Sequence, residues 1–366
     1  MRISIIGPAY PLRGGIAHHV YWLHQQLIAR HHTVQTISFR KLYPSILFPG
    51  KTEFDSSRLK LEAGAESILT PLNPATWMRA YKLVKSFSPD VVVFQWWQPF
   101  FAPLVGTLAR CFRRARLRCL IECHNIFPHE RTPLDRLLLK YALSVGDHLI
   151  THSTNDRDEL LALLPDKTVS VSSLPALDVF STGGAKARDG RTILFFGKVR
   201  KYKGLKVLLQ AMPRVLSKID CELLVVGEFY DSIGEYQQLI RKLGIGNSVH
   251  IDDRYVPNEE VPAMFDRADV LVLPYLSATQ SGVARIALSN GLPIIASRTG
   301  GLTESVVEEI NGLLFPPGNC DVLADKIVEY FSANRGPVFA ENILTSSDEH
   351  RCTIVDTIEG FSTRSR

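Results

Sequence analysis

The chain has 366 residues, of which 45% are hydrophobic and 22% are charged. Lysine and arginine outnumber aspartate and glutamate, which gives a net charge of +5. The length predicts two or three domains, each with its own core, and the composition excludes a disulfide-stapled miniprotein and a disordered chain. The small net charge permits an anionic ligand or an acidic membrane surface but is too low for a nucleic-acid-binding protein, so we expect no nucleic-acid partner.

Short β-branched segments alternate with longer helical patterns, which predicts an α/β protein with parallel sheets covered by crossover helices. The strands predicted in the first half are 3–6, 33–38, 90–94, 118–123 and 148–151. Those predicted in the second half are 192–196, 222–226, 248–251, 270–273, 293–296 and 312–315. A glycine-rich polar stretch, 181–190, indicates a linker with a domain boundary near residue 185, and a last helix is predicted at 348–361.

The six cysteines form no C-x-x-C pair, which predicts free thiols in a reducing compartment. The N-terminal apolar run is too short for a signal peptide, and no segment is long enough to span a bilayer. We therefore expect a cytoplasmic protein that is soluble or peripheral at a membrane. Cys119, Cys123 and His124 lack a fourth ligand at a zinc-site spacing, so we predict no metal site and no cofactor.

The loop after the first predicted strand contains Gly14 and Gly15 just before a predicted helix. It is not the dinucleotide fingerprint, because G-x-G-x-x-G is absent and Arg40 lies near the end of the second strand, where an acidic residue is expected. The glycines could let a phosphate approach N–H groups at the helix N-terminus. A turn that merely needs a positive φ explains them equally well.

Three strand-to-helix loops of the second half carry groups suited to an anionic sugar ligand. The first, 198–203, is basic and can neutralise a diphosphate, although a solvated charge run is an equal alternative. The second, 277–283, offers hydroxyls and N–H groups at a helix start, and the third, 300–304, offers a carboxylate to sugar hydroxyls. The candidate residues are Lys198, Lys203, Thr279, Gln280, Ser281, Gly282, Gly300, Gly301 and Glu304.

Taken in order, these motifs resemble the GT4 family of retaining glycosyltransferases. The resemblance extends to about residue 330 and rests on Gly14-Gly15, Phe196-Gly197-Lys198, Lys203-Gly204, Pro274-Tyr275, Gly291-x-Pro293 and Gly300-Gly301-x-x-Glu304. It implies the GT-B fold, in which two doubly wound Rossmann-like domains face each other across a cleft. The expected parts are an acceptor-side domain at 1–184, a donor-side domain at 185–345, and a C-terminal helix within 346–366 that crosses back to the first domain.

The resemblance also implies an activity in polysaccharide biosynthesis. A sugar would move from a UDP- or GDP-linked donor to a saccharide or lipid-linked acceptor, with retention of configuration and without a bound metal. By position, Lys198 and Lys203 match residues that hold the donor diphosphate, and Gly15 matches a glycine near the diphosphate and the transferred sugar. His124, in Glu122-Cys123-His124-Asn125, is similar in placement to the active-site histidine that contacts this sugar.

One departure from the family's pattern concerns two glutamates that usually lie eight residues apart. An ungapped count from Gly291 puts Ala278 and Ile286 at those positions, and neither side chain can accept a hydrogen bond from a hydroxyl. The sequence thus resembles a variant branch that contains Ser-Ala-Thr-Gln-Ser-Gly-Val. Two functions stay open: an active glycosyltransferase, or a non-catalytic nucleotide-sugar-binding subunit of a polysaccharide assembly system.

A basic cluster crowds the end of a predicted helix that also carries Leu104, Leu108 and Phe112. This composition suits the anionic headgroups of the inner membrane leaflet and would favour a lipid-linked acceptor. A core helix whose basic C-terminal end complements the helix dipole is an equal alternative. The cluster consists of Arg110, Arg113, Arg114, Arg116 and Arg118.

Overall fold

The computed structural model of the protein divides the chain into two compact units. It describes residues 1–44, 51–127, 132–175, 177–181, 188, 190–346 and 353–363. Unit 1 comprises Met1–Ser56, Lys60–Pro175 and Cys352–Arg366, and unit 2 comprises Ser57–Leu59 and Ala176–Arg351. Most of the predicted linker, and the predicted boundary near residue 185, lie outside the described residues.

Unit 1 is built on a seven-stranded sheet with the order β3-β2-β1-β4-β5-β6-β7, and all its described pairings are parallel. Its strands are β1 (Arg2–Ile6), β2 (Thr33–Phe39), β3 (Glu66–Leu69), β4 (Val91–Trp96), β5 (Arg118–Cys123), β6 (His148–Thr151) and β7 (Val169–Val171). Its first five helices are α1 (Gly15–Ala29), α2 (Pro74–Phe87), α3 (Ala102–Arg114), α4 (Pro133–Leu143) and α5 (Thr154–Leu163).

The central strands of unit 1 are apolar along almost their whole length because helices cover both faces of a parallel sheet. Every residue of β4 is buried, and so is every residue of β5 after Arg118. Two polar side chains interrupt these runs, Gln95 in β4 and Glu122 in β5. The register of the two strands pairs Gln95 directly with Glu122, so the two side chains lie next to each other in the core.

Unit 2 repeats the scheme with a six-stranded parallel sheet of order β10-β9-β8-β11-β12-β13. The strands are β8 (Thr192–Phe196), β9 (Glu222–Val226), β10 (Val249–Asp252), β11 (Val270–Leu273), β12 (Ile294–Ser297) and β13 (Gly312–Phe315). The helices are α6 (Leu205–Leu216), α7 (Ile233–Leu243), α8 (Val261–Asp266), α9 (Gly282–Ser289), α10 (Leu302–Ser305), α11 (Cys320–Ser332) and α12 (Gly336–Ser346).

The strand order reverses at the first strand of each sheet. In unit 1, β1 lies between β2 and β4, and in unit 2, β8 lies between β9 and β11. The loops that leave such a pair of strands separate to opposite faces, which opens a ligand crevice at their carboxyl ends. The predicted fold class, two doubly wound Rossmann-like domains of the GT-B type, is confirmed.

Two strands, β3 and β7, are not predicted from the sequence, and they are the outermost strands of the unit 1 sheet. They have only four and three residues and are mostly half-buried, so neither displays an apolar run or a clear alternation. All other strands begin and end within two residues of the predicted bounds.

A C-terminal helix, α13 (Thr353–Thr363), belongs to unit 1 rather than to the unit that precedes it along the chain. Ile354, Val355 and Ile358 are buried in the same core cluster as residues of β1 and α1. On its exposed side, Arg30 donates hydrogen bonds to Asp356 and Glu359. Apolar burial therefore holds α13 in place, with ion pairs at its margin.

Replacing Ile358 by alanine should lower the free energy of unfolding of unit 1 by about 2–5 kcal/mol, because it leaves a cavity at a fully buried position. The control is Asp356→Ala on the same helix, which removes an exposed ion pair and should change stability by only about 0–1 kcal/mol. Urea unfolding followed by circular dichroism compares the two variants. Equal losses would contradict the packing of α13 in the core of unit 1.

Candidate functional site

The basic loop of unit 2 follows β8 and forms a 3₁₀ turn, Lys201–Lys203, before α6 begins. Gly204 joins turn and helix with a φ of 69°, and a Cβ at this residue would overlap the carbonyl oxygen of Pro274, just after β11. The Leu276 N–H also donates to the carbonyl of Tyr202 at 2.7 Å. The loops after β8 and β11 therefore lie in contact at the point where the strand order reverses.

Lys203 in this loop is buried, with 9% of the residue exposed, whereas the neighbouring Lys201 is exposed. Its Nζ lies 5.3 Å from the ring centroid of Tyr275. Among the described residues no carboxylate pairs with it, and burial lowers the pKa of its ammonium group. Lys203 is thus a buried cation with no counter-charge in the described part of unit 2, an arrangement that a bound anion would stabilise.

Lys198 and Arg200 lie on the adjoining part of the same loop. Their cationic groups are 5.5 Å and 4.8 Å from the ring centroid of Tyr230. The carbonyl oxygen of Glu228 accepts a hydrogen bond from the N–H of Val199, so the loops after β8 and β9 are also joined. The cations of the predicted basic segment therefore share one edge of the sheet.

Two further predicted segments meet after β11 and β12. The Gly301 N–H donates to the carbonyl of Thr279 at 2.8 Å, and a Cβ at Gly300 would overlap the carbonyl oxygen of Ala278. Ser281 caps α9 by accepting a hydrogen bond from the Ala284 N–H, at 3.2 Å. The backbone of 278–281 therefore packs directly on the glycine pair.

Burial lowers the pKa of Arg285 in α9, and the charge of Glu304 in α10 partly opposes this effect. Arg285 is 8% exposed, and its Nε has no hydrogen-bond partner among the described residues. The next residue, Ile286, is equally buried. A charged pair therefore lies beside the position where the family pattern has a glutamate.

In unit 1, the glycine pair after β1 forms the start of α1. Gly14 precedes the helix with a φ of 121°, which only glycine adopts without strain. Gly15 is the first helical residue, and a Cβ built on it would meet no atom within 4 Å. The positive φ explains why residue 14 is a glycine. At Gly15 the backbone needs no glycine, and the missing side chain leaves open space at the start of the helix.

His124 is the first residue after β5, and its N–H donates to the carbonyl of Trp96 in β4 at 2.8 Å. Its Nε2 lies 2.6 Å from Oε1 of Gln95. The amide Nε2 of Gln95 in turn donates to Oε2 of Glu122 at 2.8 Å. A chain of hydrogen bonds thus links the predicted active-site histidine to a fully buried carboxylate.

The other oxygen of Glu122, Oε1, faces two more imidazoles. Nε2 of His19, in α1, is 2.7 Å away, and Nε2 of His152, just after β6, is 3.4 Å away. Nδ1 of His152 donates to the carbonyl of Ser172 at 2.8 Å, which fixes this ring. Three histidines therefore surround one carboxylate in the core of unit 1.

The charges of this cluster favour an ionised carboxylate. Burial alone would raise the pKa of Glu122, but the interaction with His19 outweighs it and holds the pKa well below its usual range. Burial also lowers the pKa of His124, and the neighbouring histidines lower it further against the opposing effect of Glu122. At neutral pH, Glu122 is ionised and His124 is uncharged.

Within the described part of the chain, one group has the spacing of a metal site: His19, Glu122 and His124 offer atoms within 4.8 Å of one another. Two of the three residues, Glu122 and His124, are also linked by hydrogen bonds through Gln95. The expectation of no metal site stays a prediction.

The structure brings the predicted residues of unit 2 together at one sheet edge and places Gly14, Gly15 and His124 at the corresponding edge of unit 1; their roles stay predictions. Sequence analysis missed the partners of His124, namely Gln95, Glu122, His19 and His152. A signal for the first two was present, because each is a polar residue inside an otherwise apolar strand of a parallel sheet.

Two protein families match the chain. Residues 190–333, in unit 2, match the family described as Glycosyl transferases group 1. Residues 13–172, almost all in unit 1, match Glycosyltransferase Family 4. Each half of the chain is thus similar to a family of glycosyltransferase domains.

Two curated relatives are similar over part of their length. The chain is 31% identical over 136 residues to an uncharacterized glycosyltransferase of Methanocaldococcus jannaschii, covering 37% of this chain and 34% of the relative. It is 31% identical over 206 residues to the D-inositol 3-phosphate glycosyltransferase of Corynebacterium diphtheriae, covering 50% and 48%. The chain therefore spans between a third and a half of the length of these relatives.

A solved structure with a similar fold is that of Anabaena HepE in complex with UDP. The TM-score is 0.76 at 14% sequence identity, and the match covers 100% of both chains. At this identity the similarity concerns the fold.

Gly300→Ala should destabilise unit 2 by about 1–3 kcal/mol, because its φ of 47° is strained for alanine and the new Cβ would collide with the backbone of Ala278. Gly282→Ala is the matched control: the residue is helical, its Cβ meets nothing, and stability should rise by about 0.4–1 kcal/mol. Urea unfolding measures both changes. The contact between the two loops is refuted if Gly300→Ala is as stable as the control.

Proposed function

We propose that this chain, whose two halves match glycosyltransferase families, transfers a sugar from a nucleotide-sugar donor to a saccharide or lipid-linked acceptor. Transfer would retain the configuration of the sugar and need no bound metal. The observation that carries the proposal is the buried ammonium group of Lys203, which lies without a carboxylate partner among the described residues, at the ligand edge of unit 2. A donor diphosphate is an anion suited to that place.

The donor site belongs to unit 2. Lys203 and Lys198 bind the diphosphate, and the N-terminal end of α9 adds N–H groups to the same region. UDP is the first nucleotide to test, because a protein of similar fold has been solved with it, and GDP is the second. With lysines in this role, the charge on the diphosphate is neutralised without a cation from solution.

The reaction breaks the bond between the anomeric carbon and the diphosphate oxygen, and the electron pair leaves with the diphosphate. The acceptor hydroxyl oxygen bonds to the same carbon, and its proton passes to the departing phosphate. Lys203 and Lys198 stabilise the charge that develops on the leaving group. Binding holds donor and acceptor in a reactive orientation. His124, in unit 1, contacts the transferred sugar.

The nucleotide ribose needs polar partners where Ile286 replaces the usual glutamate. Arg285 and Glu304 fulfil this role in our proposal, because they lie beside that position and the Nε of Arg285 lacks a hydrogen-bond partner among the described residues. Unpaired ribose hydroxyls in a buried site would cost about 1–3 kcal/mol each. This charged pair therefore compensates for the missing carboxylate.

The competing function is a subunit that binds a nucleotide sugar without transferring it, and the absence of glutamates at Ala278 and Ile286 favours it. Incubation with a panel of UDP- and GDP-sugars separates the two functions. Slow release of the nucleotide diphosphate, accelerated by a saccharide acceptor, supports the transferase. Saturable binding of a nucleotide sugar with no release supports the binding subunit.

A lipid-linked acceptor is consistent with a surface of unit 1 formed by α4. Leu134, Leu137 and Tyr141 recur on one face of this helix and are 58%, 65% and 39% exposed. The guanidinium group of Arg110 in α3 stacks on the Tyr141 ring at 4.0 Å. This combination of apolar and basic groups suits the interface of an anionic membrane. The protein would bind there as a peripheral protein, on the cytoplasmic side of the membrane.

The arginine cluster by itself is less suited to that role than the sequence indicates. Arg118 stacks on Phe361 of α13 at 4.1 Å, and Arg113 lies 3.6 Å from Asp147. Arg113 and Arg114 occupy the last turn of α3, where cations complement the helix dipole. None of the described helices is long and apolar enough to cross a membrane.

Lys203→Met should weaken UDP binding by about 1–3 kcal/mol, the usual range for a lost charge-assisted contact. Lys201→Met is the control, because Lys201 is on the same turn but exposed, and its affinity should stay within twofold of wild type, or about 0.4 kcal/mol. Titration calorimetry measures both variants, with thermal unfolding as a check on folding. Unchanged affinity in a folded Lys203→Met protein would remove the lysine from the donor site.

Vesicles that contain an anionic phospholipid should bind the protein, and binding should weaken as salt is added. Replacing Leu134 and Leu137 by serine should reduce the affinity at least tenfold, or about 1.4 kcal/mol. Leu72→Ser is the control, because Leu72 is 66% exposed on unit 1 but lies outside α4. If cosedimentation is absent or indifferent to the α4 changes, a soluble saccharide is the acceptor.

A further inference from the structure

The hydrogen bonds that link Glu122, Gln95 and His124 allow only one assignment of donors and acceptors. An ionised carboxylate only accepts, so the atom of Gln95 that faces Oε2 of Glu122 at 2.8 Å must be its NH2 group. The amide oxygen of Gln95 then faces Nε2 of His124 at 2.6 Å. A carbonyl oxygen also only accepts, so Nε2 of His124 must carry the hydrogen.

This assignment settles which nitrogen of His124 has a lone pair. An uncharged imidazole carries a single N–H, and here it is on Nε2, so Nδ1 is the acceptor. Among the described residues none forms a hydrogen bond with Nδ1 of His124. Within the described part of the chain, one nitrogen of the ring is thus hydrogen-bonded in the core and the other is available to a ligand.

We propose that Glu122 and Gln95 are positioning residues, which hold His124 as the uncharged Nε2–H tautomer so that Nδ1 accepts a hydrogen bond from a hydroxyl group of the bound sugar. The identity of this ligand group rests on the proposed function. The tautomer itself does not, because it follows from the contacts inside unit 1. A doubly protonated or Nδ1–H histidine could not accept at Nδ1.

Two more histidines face the other oxygen of this carboxylate. His19 and His152 place their Nε2 atoms 2.7 Å and 3.4 Å from Oε1 of Glu122, on the side opposite Gln95. A buried charge that lacked such partners would be neutralised by a proton. A protonated Glu122 could donate to Gln95, the amide could then turn, and the tautomer of His124 would no longer be determined.

The tautomer can be measured on the full chain labelled with ¹⁵N in the histidine rings, by long-range ¹H–¹⁵N correlation spectra at neutral pH. His124→Asn identifies the His124 signals. We expect a protonated Nε2 and an unprotonated Nδ1 in the wild type. In Glu122→Gln, whose side chain both donates and accepts, we expect a mixture of the two tautomers.

Cys123→Ala is the control, because Cys123 is buried between these residues but points to the opposite face of β5, and it should leave the wild-type spectrum of His124 unchanged. Gln95→Met is a second test that keeps His19 and His152 at Glu122 and should also yield mixed tautomers. It decides the outcome if Glu122→Gln does not fold.

The measurement of activity is independent of the measurement of the tautomer. If glycosyl transfer is found, Glu122→Gln should lower kcat by about tenfold or more while UDP affinity stays within twofold. If no transfer is found, the proposed function fails while the spectra still decide the tautomer. A wild-type His124 that is Nδ1–H or doubly protonated, or one still uniformly Nε2–H in both variants, overturns the proposal. A stoichiometric metal that is lost in Glu122→Gln also overturns it.

Discussion

The position of the first strand within each sheet is the constraint on which both candidate sites depend. Because β1 lies between β2 and β4, and β8 between β9 and β11, successive crossover helices cover opposite faces of the sheet. The loops at the carboxyl ends separate there, and the space between them is where α/β proteins bind ligands. Every residue assigned from the sequence to the donor or sugar site follows the carboxyl end of a strand.

The two units differ in whether a buried charged side chain has partners within the protein. In unit 1, the carboxylate of Glu122 faces His19 and His152 and accepts a hydrogen bond from Gln95, so its charge has partners inside the protein. In unit 2, Lys203 is nearly as buried but has no carboxylate partner among the described residues. A compensated charge is suited to fixing the orientation of its neighbours, and an uncompensated one is suited to binding an ion of opposite sign.

The loop motifs could be predicted because their chemistry is local in the chain. The cations of 198–203 and the glycine pair at Gly300 are adjacent in sequence, so a single segment displays the pattern. The surroundings of His124 could not be predicted in this way, because Gln95, His19 and His152 come from three other elements. Only the parallel register of β4 and β5 places Gln95 beside Glu122, and only packing brings in His19 and His152.

The sequence by itself determined the α/β class, the two parallel sheets and the bounds of their central strands, because apolar periodicity and strand-end glycines are local signals. The tertiary structure decided the short edge strands β3 and β7, which are held by pairing and carry no period of their own. It also decided that α13 is part of unit 1, since that depends on which distant core accepts Ile354 and Ile358. Finally, it decided which buried charges have partners, because electrostatic compensation depends on distances in space and not on spacing along the chain.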